Sequence, residues 1–406
     1  MPYSLMRFTQ IHSKTLLFLL AFNVWDYPLA GQERTKNLWP VIAPFFTPPA
    51  EYEDNFGSYR SPLVFYNGDT VKTPQDWALR RKEIYDTWTN MLGQWPEILY
   101  GNTLSYIDTV FYPDYTEYKV KFFWTPSEQT TGYLLIPETG GEKPAVITVY
   151  YEPETAVGKS DMPHRDFARQ LTQRGFVTLS VGTTESTQAK TYSLFYPDIR
   201  QSRVQPLSML AYAAANAWQA LAKVKDVDSA RIGIAGHSFG GKWAMFASCL
   251  YDKFACAAWS DPGIVFDESR PGINYWEPYY LGYHAPPWRE RGVITKENPA
   301  HGLYMKLREE GYDLHELHAL MAPRPFLVSG GTDDPPERWI ALNHTIAVNR
   351  LLGYRDKVAM TNRETHRPDE FSNRMLCDFF SHFLDKERGG ILSCDIPPLP
   401  PLQASP

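Results

Sequence analysis

The sequence predicts an α/β fold, with a mostly parallel sheet that is covered by helices on both faces. From about residue 130 onward, short apolar runs alternate with longer segments of helical periodicity. The short runs are apolar throughout instead of alternating with polar residues, which is typical of parallel strands buried on both sides. With 406 residues, the chain could hold two average domains or one large domain of this kind with insertions.

The strands and helices are predicted in a regular order along the chain. The runs GYLLIP and AVITVYY are two strands, and a helix over about 164–173 leads to the strand FVTLSVG. A long helix over about 204–223 precedes RIGIAGHSFGGKWAMFAS, which predicts a strand, a tight corner and an apolar helix. The last three strands are FACAAWS, PFLVSG and KVAMT, with helices near 337–351 and 370–384.

Two aromatic segments lie outside this alternation. Residues 32–128 are a predicted N-terminal helical and aromatic extension, in which Thr73 is the expected helix cap and Pro74 the first helical residue. We expect one face of that helix to pack on the α/β domain, with four apolar residues: Trp77, Ile84, Trp88 and Leu92. Residues 262–312, inside the α/β domain of residues 129–390, are far longer than an ordinary connection and predict a cap over its site.

The two ends of the chain carry other signals. The apolar run TLLFLLAFNVW, too short to span a bilayer, follows three basic residues: Arg7, His12 and Lys14. We expect residues 1–31 to be an export signal that is removed near Gly31, so that the mature protein begins near Gln32 and is secreted or periplasmic. An uncleaved membrane anchor and a buried helix are the alternatives. The proline-rich tail, residues 391–406, is expected to be disordered.

Composition and charge argue against several classes of function. The formal net charge is -6 and the pI is about 6.0, and the basic residues are scattered, so that no nucleic-acid-binding surface is predicted. The four cysteines show neither metal-ligand nor C-x-x-C spacing, and we predict no metal and no cofactor. A disulfide that involves Cys394 stays open for an exported protein.

The segment GHSFGG predicts a nucleophilic serine. Ser238 lies at the corner between a strand and a helix, where Gly236 and Gly240 let the backbone turn tightly and leave the hydroxyl exposed. The helix that follows directs free N–H groups and the positive end of its dipole towards an oxyanion at this corner. The expected donors are the backbone N–H of Phe239 and one from the YYEPE loop. A glycine-rich turn with an incidental serine is the alternative.

A serine nucleophile needs a base, and the base needs an acid that orients it. His366 follows the last strand, which is where the chain order of serine, acid and histidine requires the base. The acid is expected at the carboxyl edge of the sheet, where two strand ends supply Asp261 and Asp334. From the residues alone both stay open, and the spare aspartate would be a turn or cap residue. This arrangement is that of an α/β-hydrolase fold.

Four features together resemble the glucuronoyl-esterase group of carbohydrate esterases: GHSFGGKWA, WSDPG, DLHELHALMAPRP and a late histidine. The segment SGGTDDPPERW is also similar to related serine esterases that remove methyl esters from pectin and rhamnogalacturonan. The resemblance covers roughly residues 130–385. It implies an α/β-hydrolase fold with an aromatic cap insertion, and a Ser-His-Asp triad.

The resemblance also implies roles for single residues. In some members of the group the acid lies at the position that matches Asp261, and in others it lies at the next strand end, which matches Asp334. We expect Asp261 to be the acid here. Lys242 would contact the uronate sugar and Trp276 would stack on it, whereas a solvated lysine and a ring packed within the cap are the alternatives. In this group an arginine that helps to hold the oxyanion follows the serine. Here Phe239 occupies that position, and the positive charge of the arginine is therefore missing.

Taken together, these patterns predict an exported serine esterase acting on an esterified uronic acid of a plant-type polysaccharide, with pectin methyl ester as the leading substrate. A glucuronoyl esterase or an acetyl xylan esterase would use the same residues with a differently shaped pocket. Tyr275 and Trp288 offer further faces for sugar stacking. A prolyl-oligopeptidase-like serine peptidase would share the triad, but no propeller repeats precede it. A non-catalytic carbohydrate-binding protein would need a broken triad.

Overall fold

A computed structural model describes residues 37–183 and 194–385. The strands within these residues are β1 (Ser105–Phe111), β2 (Tyr115–Phe123), β3 (Gln129–Pro137), β4 (Lys143–Val149), β5 (Val177–Val181), β6 (Val227–His237), β7 (Ala257–Ser260), β8 (Phe326–Gly330) and β9 (Val358–Asn362). The helices are α1 (Trp39–Ile42), α2 (Pro74–Leu92), α3 (Pro153–Ala156), α4 (Phe167–Thr172), α5 (Pro206–Leu221), α6 (Phe239–Leu250), α7 (Leu303–Glu309), α8 (His315–Ala319), α9 (Trp339–Leu351) and α10 (Glu370–Leu384). The predicted export signal, the predicted disordered tail and Cys394 lie outside the described residues.

The nine strands form one sheet in the order β1-β2-β3-β5-β4-β6-β7-β8-β9. The pairs β1–β2, β2–β3 and β3–β5 are antiparallel. The strands β5, β4, β6, β7, β8 and β9 are parallel to one another. This confirms the predicted mostly parallel sheet, whose carboxyl edge brings together the connections that follow β6, β7, β8 and β9.

Helices cover both faces of the sheet, as predicted. On one face, α5 and α6 are buried along almost their whole length and pack on β4 and β6. On the other face, α4 packs on β4 and α10 packs on β6. A Cβ atom at Gly233 would lie 2.7 Å from the ring of Phe380 in α10, so the glycine lets this helix approach the central strand closely.

The predicted N-terminal extension supplies two helices, α1 and α2, and two strands, β1 and β2. The N–H of Asp76 donates to Oγ1 of Thr73 at 3.1 Å, and the N–H of Thr73 donates to the Asp76 carboxylate at 3.0 Å, so Thr73 caps α2. The inner face of α2 is buried at the four expected positions: Trp77, Ile84, Trp88 and Leu92. The strand β1 is not predictable from periodicity because all seven of its residues are exposed.

Buried carboxylates hold the predicted cap, residues 262–312, through hydrogen bonds near its start. Asp334, just past β8, accepts hydrogen bonds at 2.8 and 2.6 Å from two N–H groups near the start of the cap, those of Gly263 and Ile264. Asp313, just past its end, accepts a hydrogen bond at 3.0 Å from the N–H of Phe266. Both carboxylates are almost completely buried, so the cap is joined to the sheet by bonds that water does not reach.

No helix within residues 37–183 and 194–385 combines the length and the apolar character needed to cross a membrane. Cys249, Cys256 and Cys377 are buried free thiols. Burial raises the pKa of the Cys249 thiol, so this side chain stays a neutral, packed group.

Candidate active site

Ser238 lies at a strained corner between β6 and α6. Its φ of 58° and ψ of -116° are rare for a residue with a side chain. A Cβ atom at Gly240 would lie 2.0 Å from the carbonyl oxygen of Val149, and one at Gly236 would lie 2.2 Å from the Gly240 carbonyl oxygen. Only glycine fits at these two positions, and the close approach holds the serine hydroxyl at the carboxyl edge of the sheet.

His366 connects this serine to an aspartate. The histidine lies in the loop between β9 and α10, and its Nε2 is 2.8 Å from Oγ of Ser238. Its Nδ1 is 2.7 Å from Oδ2 of Asp261, the residue that follows β7. The structure therefore brings together the three residues predicted for the triad, in a continuous chain of hydrogen bonds.

Backbone N–H groups surround the other oxygen of Asp261. Its Oδ1 accepts hydrogen bonds from Gly331 at 2.7 Å, from Asp334 at 2.8 Å and from Asp333 at 3.1 Å. The side chain is completely buried, and its φ of 51° is again unusual for a residue with a side chain. The three donors stabilise the negative charge and direct Oδ2 towards the imidazole.

The alternative acid, Asp334, points elsewhere. Its two oxygens accept the hydrogen bonds from the start of the cap, and Nε of Arg338 lies 3.8 Å from Oδ1. Burial, together with the neighbouring Asp261, raises the pKa of Asp334 to about 7. Its neighbour Asp333 is the second carboxylate near the base, with Oδ2 at 3.6 Å from Nδ1 of His366.

The donor atoms of Asp261, Asp333 and His366 lie within 4.8 Å of one another, which is close enough for a common ion. However, both nitrogens of His366 are already engaged, one by Ser238 and one by Asp261. A metal ligand would have to give up one of these hydrogen bonds. Two of its members, Asp261 and His366, belong to the predicted triad, and their hydrogen bonds occupy the nitrogen atoms that a metal ion would need.

A buried arginine that the sequence patterns do not identify lies behind the triad. Arg363 follows β9 directly, and its side chain is 3% exposed. Its Nη2 donates to the carbonyl oxygen of His366 at 2.8 Å and lies 4.0 Å from Oδ2 of Asp261. In the sequence Arg363 looks like a solvated loop residue, and its position directly after a strand at the carboxyl edge is the one signal that points to the site.

His237, the residue before the serine, packs beside the base. Its ring centroid is 4.7 Å from that of His366, and its Nδ1 lies 3.1 Å from Oγ of Ser260. Burial, and secondarily the nearby His366, lower the pKa of His237 well below its ordinary value. His237 therefore packs as a neutral ring and does not add a second positive charge next to the imidazole.

The predicted oxyanion donors lie between β4 and α6. The N–H of Phe239 is in the first turn of α6, where backbone N–H groups have no partner within the helix. The ring of Phe239 stacks on Tyr151 with centroids 4.6 Å apart and an interplanar angle of 4°. In the YYEPE loop, the N–H of Tyr150 donates to the carbonyl oxygen of Val181 at 3.1 Å, so the second donor would have to come from another residue of that loop.

Lys242 is neither solvated nor directed outwards. It is 3% exposed, its amine donates to the carbonyl oxygen of Pro262, and it lies 4.7 Å from the ring centroid of Tyr275. Burial lowers the pKa of Lys242 to about 8, against the opposing effect of Asp333. The lysine thus lies beneath the start of the cap, where it contacts protein groups.

The aromatic residues of the cap differ in their accessibility. Trp276 is 1% exposed, its indole N–H donates to the carbonyl oxygen of Gly292 at 3.1 Å, and its ring packs edge-on against Tyr304. It therefore packs within the cap and presents no free face for a sugar. Trp288 is partly exposed and stacks on Phe195, with an interplanar angle of 7°.

The structure is similar to solved structures of glucuronoyl esterases. The glucuronoyl esterase from Solibacter usitatus aligns with a TM-score of 0.61 and 18% sequence identity, over 80% of this chain and 97% of that chain. A glucuronoyl esterase of carbohydrate esterase family 15 from Caldicellulosiruptor kristjansonii gives a TM-score of 0.56 and 16% identity, over 88% and 98%. The catalytic domain of a glucuronoyl esterase from Hypocrea jecorina gives 0.52 and 16%, over 81% and 91%.

The sequence itself matches no protein-family model and no curated protein. At such low identity, the structural similarity shows the fold, which is the α/β-hydrolase fold. These structures belong to the group that the motifs around Ser238 and Asp261 resemble.

Proposed function

We propose that this protein is a serine carboxylic ester hydrolase that acts on a carbohydrate. The observation that carries the proposal is the chain of hydrogen bonds from Ser238 through His366 to Asp261, at 2.8 and 2.7 Å. A serine hydroxyl is a poor nucleophile at neutral pH unless a base accepts its proton. The strained backbone of Ser238, at the start of α6, supports the same role.

The reaction proceeds by two acyl transfers. Oγ of Ser238 attacks the ester carbonyl, and Nε2 of His366 takes the hydroxyl proton. The carbonyl oxygen becomes an oxyanion, which the N–H of Phe239 and the dipole of α6 stabilise. His366 then protonates the leaving alcohol, and the acyl group stays on the serine. Asp261 holds the imidazole in place and balances its positive charge.

Water completes the cycle. His366 removes a proton from a water molecule, whose oxygen attacks the acyl carbonyl. A second tetrahedral intermediate collapses, the bond to Oγ breaks, and the proton returns from His366 to Ser238. The products are a carboxylic acid and a free serine, so that no cofactor takes part in any step.

For the substrate we propose an esterified uronic acid of a plant polysaccharide, with the methyl ester of pectic galacturonate first. The absence of an arginine at position 239 supports this choice over a glucuronoyl ester, because the stacked pair of Phe239 and Tyr151 replaces a charged group with an apolar wall. A glucuronoyl ester is the second candidate, favoured by the solved structures of similar fold. An acetylated xylan is the third.

A serine peptidase of the prolyl-oligopeptidase type is the alternative of another class. In such enzymes a propeller domain covers the site. In the described part of the present chain, the residues before β3 instead form α1, α2 and the antiparallel strands β1 and β2, which extend the main sheet. This architecture favours the esterase, and peptide substrates in the assay test it.

The test is a panel of methyl-esterified pectin, a benzyl ester of glucuronic acid, acetylated xylan and a proline-containing peptide, with wild type and the Ser238→Ala variant. We expect hydrolysis of the pectin ester by wild type and a loss on the order of 10⁶-fold in the variant. Ser127→Ala, at an exposed position, is the matched control and should keep full activity. Turnover of Ser238→Ala at a tenth of the wild-type rate would contradict the proposal.

A further inference from the structure

The guanidinium of Arg363 joins the ends of three neighbouring strands, β7, β8 and β9. Two of these strands, β7 and β9, precede the acid and the base of the candidate triad. Nη1 donates to the carbonyl oxygen of Ser329 at 2.7 Å, to its hydroxyl at 3.0 Å and to the carbonyl oxygen of Gly330 at 3.2 Å, all at the end of β8. Nη2 donates to Oγ of Ser260, the last residue of β7, at 3.3 Å. Arg363 itself follows β9.

The same guanidinium holds the loop that contains the base. Nη2 donates to the carbonyl oxygen of His366 at 2.8 Å, and Nε donates to the carbonyl oxygen of Arg367 at 2.9 Å. All three guanidinium nitrogens are therefore used. A side chain with five donors in a rigid plane can fix a loop in this way, whereas an ammonium group offers three donors at a single point.

The charge of Arg363 also faces the triad. Nη2 lies 4.0 Å from Oδ2 of Asp261, the oxygen that accepts a hydrogen bond from His366. This distance is too long for a hydrogen bond, so Arg363 acts on Asp261 through its charge. Burial lowers the pKa of Arg363, but a guanidinium stays protonated in proteins. The other ionisable groups close to this centre include Asp333, Asp334, His237, Tyr150 and Asp369, and two further cations, Lys242 and Arg165.

We propose that Arg363 is the positioning residue of the triad: it fixes the His366 loop on the ends of β7 and β8, and it supplies the positive charge that partly offsets Asp261. This rests on the esterase function proposed above. The guanidinium touches neither Ser238 nor a substrate, so it acts through His366 and Asp261. A misplacement of the base by about 1 Å costs about 100-fold in rate, which is why a fixed loop matters.

The experiment compares Arg363→Lys and Arg363→Met with wild type, using 4-nitrophenyl acetate as the substrate. We expect Arg363→Met to lower kcat by about 100-fold with less than about a threefold change in KM, because the interaction serves the transition state. Arg363→Lys should lower kcat by about 10-fold, because it keeps the charge but has fewer donors.

The pH dependence of kcat/KM separates positioning from a purely structural role. Arg363→Met removes one cation from beside Asp261 and so changes the charge that surrounds the catalytic base, whereas Arg363→Lys keeps that charge. The acidic limb should move up by about half a pH unit in Arg363→Met and stay in place in Arg363→Lys. If Arg363 served only stability, Arg363→Met would lower the folded fraction of the protein and leave the acidic limb of the kcat/KM profile where it is in wild type.

Arg81 provides the matched control. It is also buried, at 4% exposure, and donates to the carbonyl oxygen of Leu320, which is neither a triad residue nor one of the groups that Arg363 contacts. Arg81→Met should lower the melting temperature but leave the acidic limb in place. If Arg363→Met behaves like Arg81→Met, the proposal is overturned. If Arg363→Met does not fold, Arg363→Lys tests the proposal instead. A wild-type kcat in Arg363→Lys would then overturn the positioning role of Arg363.

A fluorophosphonate probe distinguishes this proposal from the proposed function. In the labelling reaction Oγ of Ser238 bonds to phosphorus, fluoride leaves, and the hydroxyl proton passes to His366. No labelling and no ester hydrolysis in wild type would mean that the esterase function itself fails. Labelling of wild type, together with equally fast labelling of Arg363→Met at every pH, would overturn the role of Arg363 alone.

Discussion

At the scale of single residues, Asp333 and Asp334 show how one position in a loop decides what a carboxylate contacts. Asp334 is buried and bound by N–H groups of the cap, whereas Asp333 reaches to 3.6 Å from Nδ1 of His366. Burial, with the nearby Asp261, raises the pKa of Asp333. Asp261, bound by three N–H groups and 2.7 Å from the imidazole, is better placed than either to orient the base.

Replacing each of the three aspartates, Asp261, Asp333 and Asp334, by asparagine should separate their roles. Asp261→Asn should lower kcat by about 10⁴-fold, because an amide cannot hold the imidazole in the reactive tautomer. Asp333→Asn should cost less than about 10-fold, because that carboxylate lies beyond hydrogen-bond distance of His366. Asp334→Asn should act on stability more than on kcat. The measurements are kcat and the melting temperature of each variant.

A different ranking would change the assignment. If Asp261→Asn kept much of the activity and only the double variant with Asp333→Asn were inactive, both carboxylates would serve the same histidine. If Asp334→Asn were the inactive variant, the acid would belong to the loop after β8.

Much of this site is predictable from sequence because its chemistry requires particular residues. Ser238 between two glycines and His366 after the last strand follow from the pattern alone, and the strand ends limit the acid to two candidates. Arg363 and Asp333 are not predictable, because arginine and aspartate are common in solvated loops. The burial of Lys242 and Trp276 depends on where the cap lies, which no local pattern encodes.

At the scale of secondary structure elements, the junction between β4, β6 and α6 sets the geometry of the nucleophile. The backbone of α6 begins directly against the carbonyl oxygen of Val149, with no room for a side chain at Gly240. Any residue larger than glycine would have to move the helix away from the sheet.

Gly240→Ala tests this packing. The added Cβ would lie 2.0 Å from the Val149 carbonyl oxygen, so we expect a loss of about 1–3 kcal/mol in the free energy of unfolding and a lower kcat. Gly140→Ala is the control, because a Cβ there meets nothing within 4 Å. Thermal unfolding and ester hydrolysis of both variants check the expectation. An unchanged melting temperature in Gly240→Ala would show that the junction relaxes freely.

The closure of the cap by Asp313 predicts a pH dependence of stability. Burial raises the pKa of Asp313 from 3.8 to about 7 in the folded protein. A raised carboxyl pKa contributes stability that is fully present below the unfolded-state pKa and is lost as the pH rises through about 7. The loss occurs because the ionised form is buried without a compensating cation at hydrogen-bond distance.

Asp313→Asn removes this titration and keeps the acceptor oxygen for the N–H groups of Phe266 and Leu314. The melting temperature of the variant minus that of wild type should therefore increase by a few degrees as the pH rises from about 5 to about 8. Asp161→Asn, at an exposed position, should show no such trend. A constant difference between Asp313→Asn and wild type would contradict a buried titrating carboxyl.

At the scale of the whole molecule, the parallel strands and β3 are predictable from the sequence, and the outer antiparallel strands β1 and β2 are not. Strands β5 and β8 are buried at all five positions, and such apolar runs are visible in the sequence. The outer strand β1 is exposed throughout, so pairing with β2 and not burial defines it. A sequence pattern records burial, and it records pairing between distant strands only indirectly.

The order of the strands also determines when the proposed triad can assemble during synthesis of the chain. Ser238 leaves the ribosome with β6, but its base follows β9, after the whole cap and β8 have been made. Until then the serine has no group to take its proton. In the proposed mechanism, the growing chain therefore carries a serine without its base until β9 and the loop that follows it have been made and have joined the edge of the sheet.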